Sequence, residues 1–282
     1  MSGYEWPAPA KLNLFLHVCG RRADGYHELQ TVFQMLDVGD TLRFDVRNDG
    51  AIRRVTEVPG VAAADDLCVK AARRLQAACG TRLGADIHLD KRLPIGGGIG
   101  GGSSNAATTL VALNELWGAG LSVDALAEFG LALGADVPVF VRGRSAWGEG
   151  VGERLVPVEL PSNWYLVLFP GCAVSTAQVF SDPELTRDTP RITMAAFRAG
   201  RARNDCEPVV RRLYPEVGQA LDWLGQYAPA SLTGTGGCVF AAFTDEASAR
   251  QVLTKVPARW QAFVARGVNE SPLRNAAQCR AA

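Results

Sequence analysis

Residues 94–107 read Pro-Ile-Gly-Gly-Gly-Ile-Gly-Gly-Gly-Ser-Ser-Asn-Ala-Ala, and six of the seven positions from Gly96 to Gly102 are glycine. Glycine admits φ > 0 and lets a ligand come close to the main chain. Downstream, Ala106, Leu110, Leu113 and Trp117 are spaced by four, three and four, which is helical. Ser103 or Ser104 is expected to cap that helix. Upstream, Ala85, Ile87 and Leu89 alternate with Asp86, His88 and Asp90, which is strand-like. A glycine loop running into a helix N-terminus offers free backbone N–H groups at the positive end of a dipole. The chemistry it suits is phosphate binding, with Pro94, Ile95, Gly96, Gly97, Gly98, Ile99, Gly100, Gly101, Gly102, Ser103 and Ser104 as candidates. A side chain at Gly98 is expected to block phosphate while leaving stability little changed.

Two other glycine loops are set aside. No Gly-Lys-Ser/Thr follows the glycines, so this is not a Walker A loop. Gly96, Gly98 and Gly101 do spell Gly-x-Gly-x-x-Gly, but a dinucleotide fold needs a strand ending in an acid soon after the helix. Here Gly118-Ala119-Gly120 and a second capped helix from Ser122 follow.

Two charged side chains stand in apolar surroundings. Asp136 lies in the string Ala135–Phe140, where an unpaired carboxylate is costly. It either does chemistry or caps a turn ahead of Pro138. Lys11 lies in a strand between the apolar Ala10 and Leu12 and by itself reads as readily as an exposed strand lysine as a functional one.

Composition bounds the rest. The chain has 282 residues, room for two domains. Lys+Arg and Asp+Glu are both 29, so the net charge is zero, which argues against a dedicated nucleic-acid binder. The seven cysteines (Cys19, Cys68, Cys79, Cys172, Cys206, Cys238 and Cys279) form no Cys-x-x-Cys pair and read as free thiols in a reducing cytosol. The three histidines, His17, His27 and His88, have no metal-ligand spacing. The apolar run Leu12–Cys19 is broken by Asn13 and His17, so neither a signal sequence nor a membrane span is expected there. The expectation is a soluble cytoplasmic protein.

The elements that must hold these residues follow from periodicity. Strands are expected at Lys11–Cys19, Thr31–Leu36, Thr41–Val46, Trp164–Phe169 and Cys238–Phe243, with a last strand at Trp260–Val264. Helices are expected at Asp65–Ala78, Asn204–Leu213 and Val217–Leu224, with a last one at Ser248–Val256. Ser175 or Thr176 caps a short helix carrying Val179 and Phe180. Val137–Arg142 is β-leaning and Trp147–Leu155 reads as a polar loop. Pro157–Pro161 is the candidate linker, dividing the chain into 1–158 and 159–282. A second glycine cluster, Gly234-Thr235-Gly236-Gly237, precedes the late strand. The mixed order gives an α+β chain of two lobes.

Three motifs together resemble the GHMP kinase superfamily: Ala10-Lys11-Leu12-Asn13-Leu14, the loop at 94–107, and Gly234-Thr235-Gly236-Gly237. Three further stretches resemble the branch acting on a cytidine-diphosphate-linked alcohol: Arg22-Ala23-Asp24-Gly25-Tyr26-His27, Gly134-Ala135-Asp136-Val137-Pro138-Val139-Phe140, and Gly267-Val268-Asn269 with Ser271-Pro272-Leu273. The resemblance runs from about residue 8 to residue 275. It implies a two-lobed α+β kinase with its active site in the interdomain cleft, ATP and Mg2+ as cofactors, and a step in the non-mevalonate route to isoprenoid precursors. The 94–107 loop would bind ATP. Asp136 would be the base that takes the hydroxyl proton, and Lys11 would face the transferring phosphate. Tyr26 and His27 would read cytosine, with Phe180 on the other face of the base. Asn13, Gly234, Thr235 and Gly236 would touch the substrate. Phe180 also reads as a core aromatic, and the glycine cluster as a tight turn. Gly237 stands where the family often has alanine, which is expected to be tolerated. Asp65-Asp66-Leu67 stands near the adenine where asparagine-leucine is common, leaving those contacts open. No metal ligand is assigned. Another GHMP small-molecule kinase has no use for Tyr26-His27, and a non-catalytic nucleotide- or RNA-binding relative has none for Lys11 with Asp136.

Overall fold

The computed structural model describes residues 4–281, with side chains as far as residue 277. The first half runs β1 (Glu5–Arg21), β2 (His27–Arg47), β3 (Ile52–Arg54), α1 (Leu67–Cys79), β4 (Gly84–Asp90), α2 (Gly101–Leu116), α3 (Val123–Leu131), α4 (Val137–Arg142), β5 (Ala146–Gly150) and β6 (Arg154–Pro157). The second runs β7 (Trp164–Phe169), α5 (Thr176–Ser181), α6 (Met194–Arg198), α7 (Glu207–Leu213), α8 (Pro215–Leu224), β8 (Ala230–Leu232), β9 (Val239–Phe243), α9 (Glu246–Leu253), β10 (Gln261–Val268) and α10 (Pro272–Ala281). Among the described residues no helix is long and apolar enough to cross a membrane.

One mixed sheet runs through the molecule in the order β3-β4-β2-β10-β7-β9-β8, with β1 and the β5–β6 hairpin paired onto β2. β10 is the joint: Gly267 and Val268 pair with Leu36 and Met35, and Gln261–Arg266 pair with β7. One core gathers α1, α2 and α4 against β2 and β4 and includes Leu75, Leu110, Leu113 and Phe140. A second gathers Val210, Leu221, Leu224 and Val239, together with Leu16 and Val18 from the far end of β1.

The structure differs from the sequence reading in instructive places. Val137–Arg142 is a helix, not a strand. Pro138 in its first turn forfeits no hydrogen bond, and Gly143 closes it in the left-handed region. Burial of Val137, Val139 and Phe140 outweighs a β-propensity worth at most about 1 kcal/mol. Trp147–Leu155 is not a loop, since most of it lies in β5 and β6. Its inward positions Ala146, Gly148 and Gly150 carry no large side chain, so the alternation is invisible in hydropathy. Gly148 lies flat on the Phe33 ring, where a Cβ would come within 2.7 Å. The two strands expected at 31–36 and 41–46 are one, because Gly39 passes so close to β1 that a Cβ would sit 2.1 Å from the Ala8 carbonyl oxygen. Ser248–Val256 is not the last helix; α10 follows it and buries Leu273 in the first core. Six cysteines are free thiols, and Cys279 lies outside the described side chains.

Asp40 on β2 sets the entry to the glycine loop. Its Oδ1 accepts from the Arg92 and Leu93 amides at 2.7 and 2.8 Å, and its Oδ2 meets Lys91 Nζ at 2.7 Å. The Asp40 side chain is fully buried, so Asp40→Ala leaves two amides without an acceptor and the Lys91 ammonium without its counter-charge. We expect a loss of about 3–5 kcal/mol in urea unfolding; a change below about 1 kcal/mol would show that Asp40 does not hold the loop.

Candidate active site

A cleft of about 810 Å³ opens between the two cores. At its centre is a buried ammonium. Lys11, only 2% exposed, points from β1 with three acceptors around Nζ: Asn13 Oδ1, the Gly98 carbonyl at 3.1 Å, and Asp136 Oδ2 at 3.1 Å. A lysine ammonium has three donors, so the set is complete. The Phe33 ring lies 5.6 Å from Nζ. Asp136 sits at the N-cap position of α4, yet its side chain makes no capping hydrogen bond. Its carboxylate is instead a third exposed and turned to Lys11 and the cleft.

The glycine loop wraps over this pair. Gly96, Gly98 and Gly100 have φ of 74°, 73° and 75°, a conformation other residues rarely adopt. Three successive carbonyls face protein: Gly97 accepts from the Cys238 amide, Gly98 from Lys11 Nζ, and Ile99 from the Lys11 amide. Gly100 caps α2, so neither serine does, contrary to the expectation. Both serines fall inside the first turn, and only Ser103 lines the cleft. Ser104 is wholly buried with an Oγ that has no partner, and the buried Asn105 Oδ1 also lacks one. The groups that suit an anion here are the backbone amides at the start of α2, which have no partner within the helix.

The second glycine cluster locks against the first. A Cβ at Gly98 would lie 2.5 Å from the Thr233 carbonyl and 2.7 Å from that of Gly236. One at Gly237, with φ 95°, would lie 2.3 Å from the Gly96 carbonyl. Gly98 therefore admits protein backbone as well as ligand, and the expectation of unchanged stability on substitution is corrected. Alanine at Gly237 is likewise not tolerated without a backbone shift. Gly234 and Thr235 line the cleft, whereas Gly236 stands behind its wall, packed on Leu232 and Val210. Asn204 tethers this turn, donating to the Leu232 and Gly234 carbonyls at 2.9 and 2.8 Å.

At the far end of the cleft, His27 stacks on Phe180 with centroids 4.9 Å apart and planes inclined by 21°. Tyr26 beside it is 64% exposed. Burial, then the Arg187 and Arg21 charges, hold the His27 pKa below the ordinary histidine value. Asn13 anchors the middle: its amide nitrogen donates to Thr233 Oγ1 at 2.9 Å, and Nδ2 to Thr31 Oγ1 at 3.0 Å. Near Leu67, Asp66 caps α1 and pairs with Arg54 at 2.7 Å, so that acid is already answered. Among the described residues no cluster of three or more His, Cys, Asp or Glu could hold a metal.

Sequence reasoning missed Arg187, Asn204, Thr31 and Lys91. Lys91 lines the cleft ahead of the glycine loop and donates to the Leu93 carbonyl; the basic pair Lys91-Arg92 just before a glycine-rich loop was a usable signal. The other three act across the fold, where spacing in one sequence is silent.

Comparison with known proteins places the chain. The model for the GHMP kinases N terminal domain matches residues 66–144, and the GHMP kinases C terminal model matches 188–262. A mevalonate kinase structure from Methanococcus jannaschii shares the fold at TM-score 0.68 and 16% identity, over 95% of this chain and 99% of that one. Fold and family models together define a GHMP kinase. A 4-diphosphocytidyl-2-C-methyl-D-erythritol kinase from Halorhodospira halophila is 62% identical over 271 residues, 95% of this chain and 94% of the relative. Another, from Alkalilimnicola ehrlichii, is 64% identical over 269 residues, 95% and 92% respectively. A crystal structure of 4-(cytidine 5'-diphospho)-2C-methyl-D-erythritol kinase matches at TM-score 0.82 and 34% identity, over 94% of this chain and all of that one. The chain belongs to the 4-diphosphocytidyl-2-C-methyl-D-erythritol kinase family of GHMP kinases, and it is an ATP-dependent small-molecule kinase.

The interlock of the glycine loops is directly testable. Gly98→Val adds left-handed strain of about 1–3 kcal/mol and overpacking of a similar size. The thermal midpoint without nucleotide should fall by several degrees, and ADP binding by calorimetry should be lost. An unchanged midpoint would mean the two loops do not bear on each other.

Proposed function

We propose that this chain transfers the γ-phosphate of ATP to the 2-hydroxyl of 4-diphosphocytidyl-2-C-methyl-D-erythritol, in the non-mevalonate route to isoprenoid precursors. The observation that carries the reading is that one cleft holds the Lys11–Asp136 pair under a phosphate-type loop and an aromatic pair, His27 and Phe180, at its other end.

Phosphoryl transfer needs positioning and charge neutralisation more than covalent help. The backbone amides of the loop and the first turn of α2 hold the nucleotide phosphates, with the Ser103 hydroxyl at the same edge. An alcohol is a far weaker acid than a carboxylic acid, so Asp136 does not remove the proton beforehand. It accepts the proton as the new P–O bond forms. Lys11 fixes the rotamer of Asp136 and sets a positive charge beside the transferring group. All three of its donors are engaged by protein, so its contribution is chiefly coulombic. Asn13 holds Lys11 through Oδ1 and keeps one Nδ2–H for substrate. Gly234 and Thr235 close on the substrate diphosphate. Mg2+ bound with the nucleotide would supply charge neutralisation there; among the described residues no carboxylate cluster would hold it, and the Ser103 hydroxyl is the side chain of the loop that could reach it. Tyr26, His27 and Phe180 take the cytosine ring.

The reading divides the chain into lobes 1–158 and 159–282, with the start and end of the chain crossing over: Leu16 and Val18 pack in the second core and Leu273 in the first. Zero net charge fits a protein of the cytoplasm that binds small phosphorylated molecules and not nucleic acid.

Asp136→Asn should lower turnover about 10²–10⁴-fold while ATP affinity stays near wild type. Turnover within a factor of about three would remove Asp136 as the base. A coupled ADP-release assay should give turnover with the cytidyl substrate and none with mevalonate or homoserine.

Specificity tests the other end. Free CMP should compete with the cytidyl substrate and not with ATP. His27→Ala should weaken that substrate by about 1–3 kcal/mol through a lost hydrogen bond and its contacts, and Tyr26→Ala should act the same way through lost stacking; Tyr26→Phe should be mild. CMP competition against ATP would displace the cytidine pocket.

A further inference from the structure

Arg187 lies outside every motif above, yet it makes more directed contacts near the base end of the cleft than any residue named for it. Its guanidinium donates to three main-chain carbonyls: Phe180 at 2.9 Å, Asp182 at 2.7 Å and Leu185 at 3.0 Å. These lie at the end of α5 and in the turn behind it, so the group is fixed as a rigid fork. A fourth donor, Nε–H, goes to His27 Nε2 at 3.2 Å. An arginine cannot accept a hydrogen bond and does not lose its proton, so Nε2 must be the unprotonated nitrogen. A neutral imidazole then carries its proton on Nδ1.

Protonating Nε2 would set two donors head to head, beside the Arg187 charge and with Arg21 also nearby. Both charges, after burial, hold the His27 pKa below the ordinary value. No carboxylate counts among the groups that shift it. The same fork holds the backbone of Phe180, the ring on which His27 stacks. One side chain thus sets both the tautomer of the histidine and the place of its stacking partner.

We infer that Arg187 is a specificity-positioning residue: it fixes His27 as the neutral tautomer with a proton on Nδ1, so that the ring offers the base one donor of fixed identity. Resting on the assignment of this end of the cleft to cytosine, the inference adds what makes that recognition single-valued. An imidazole free to exchange tautomers presents a donor and an acceptor by turns, and the wrong form leaves the base edge unpaired. A residue acting this way shifts the KM of the cytidyl substrate and leaves the phosphate end alone.

The test uses the full-length protein. The chain has 3 histidines, so His27→Ala assigns the His27 signal in a long-range proton–nitrogen NMR spectrum by subtraction. The wild type should show Nδ1 protonated and Nε2 bare near neutral pH. Arg187→Met should raise the KM of the cytidyl substrate about tenfold, with kcat and the ATP KM moving far less. It should also raise the titration midpoint of His27, since one of the causes lowering it is gone. Arg187→Lys, which keeps the charge but not the fork, should recover the midpoint more than the KM.

Protonated Nε2 in the wild type overturns the inference whether or not the variants fold. So does an equal loss of kcat and of both KM values in Arg187→Met, which marks a general structural part. If His27→Ala raises the substrate KM and Arg187→Met does not, the inference fails while the cytosine assignment stands. If neither variant moves it, the cytosine assignment fails and the inference with it.

Discussion

An ammonium buried in a sheet must be answered on all three of its N–H bonds, and the site is organised by how that demand is met. Lys11 takes an amide oxygen from its own strand, a carbonyl from the glycine loop and a carboxylate from the start of α4. Each acceptor belongs to a different piece of chain. Without the ammonium, a carboxylate, a loop carbonyl and a strand amide would converge on nothing. With it, the proposed base is oriented and the loop is pinned at its midpoint by a single charge. Charge-assisted hydrogen bonds are about twice as strong as neutral ones, so the arrangement is stiff as well as complete.

The loop is held from behind by the same economy of space. Gly98 and Gly237 each lie where a Cβ would strike carbonyl oxygen of the opposite loop. Two glycine-rich turns, about 140 residues apart in the chain, pack backbone to backbone at Gly98 and Gly237. That contact joins the proposed phosphate end of the cleft to the turn proposed to lie beside the substrate. Glycine here serves protein–protein approach first. The amides left over for a ligand are a consequence of three loop carbonyls being spent inward.

Much of this was legible in the sequence, and the exceptions have physical causes. The glycine loop, its flanking strand and helix, Lys11 and Asp136 could be read because each is an unusual residue in a regular pattern. Asp136 was ambiguous between a cap and a base; its missing capping bond, visible only in three dimensions, removes the first reading of its side chain. The hairpin β5–β6 was hidden because glycine and alanine fill its inward face and give hydropathy nothing to alternate. Helix α4 was misread because local β-propensity is weak against burial on every side. Ser103 and Ser104 read as equivalent, and the helix phase alone sends one to the cleft and the other into the core. Arg187 was unreadable because its meaning lies in a histidine 160 positions away.

The sheet is closed by its last strand. Until β10 is made, the apolar edge of β7 has no neighbour on that side, and no strand carries the sheet from β2 into the second lobe. A ribosome delivers the glycine loop, Lys11 and Asp136 before it delivers residue 261. A nascent or prematurely ended chain therefore carries the parts of a kinase while exposing Trp164–Phe169 as an open strand, the kind of edge that recruits other chains. Assembly of the cleft is thus a late event in synthesis, and the interval before it is when this protein is most exposed to aggregation and to chaperones.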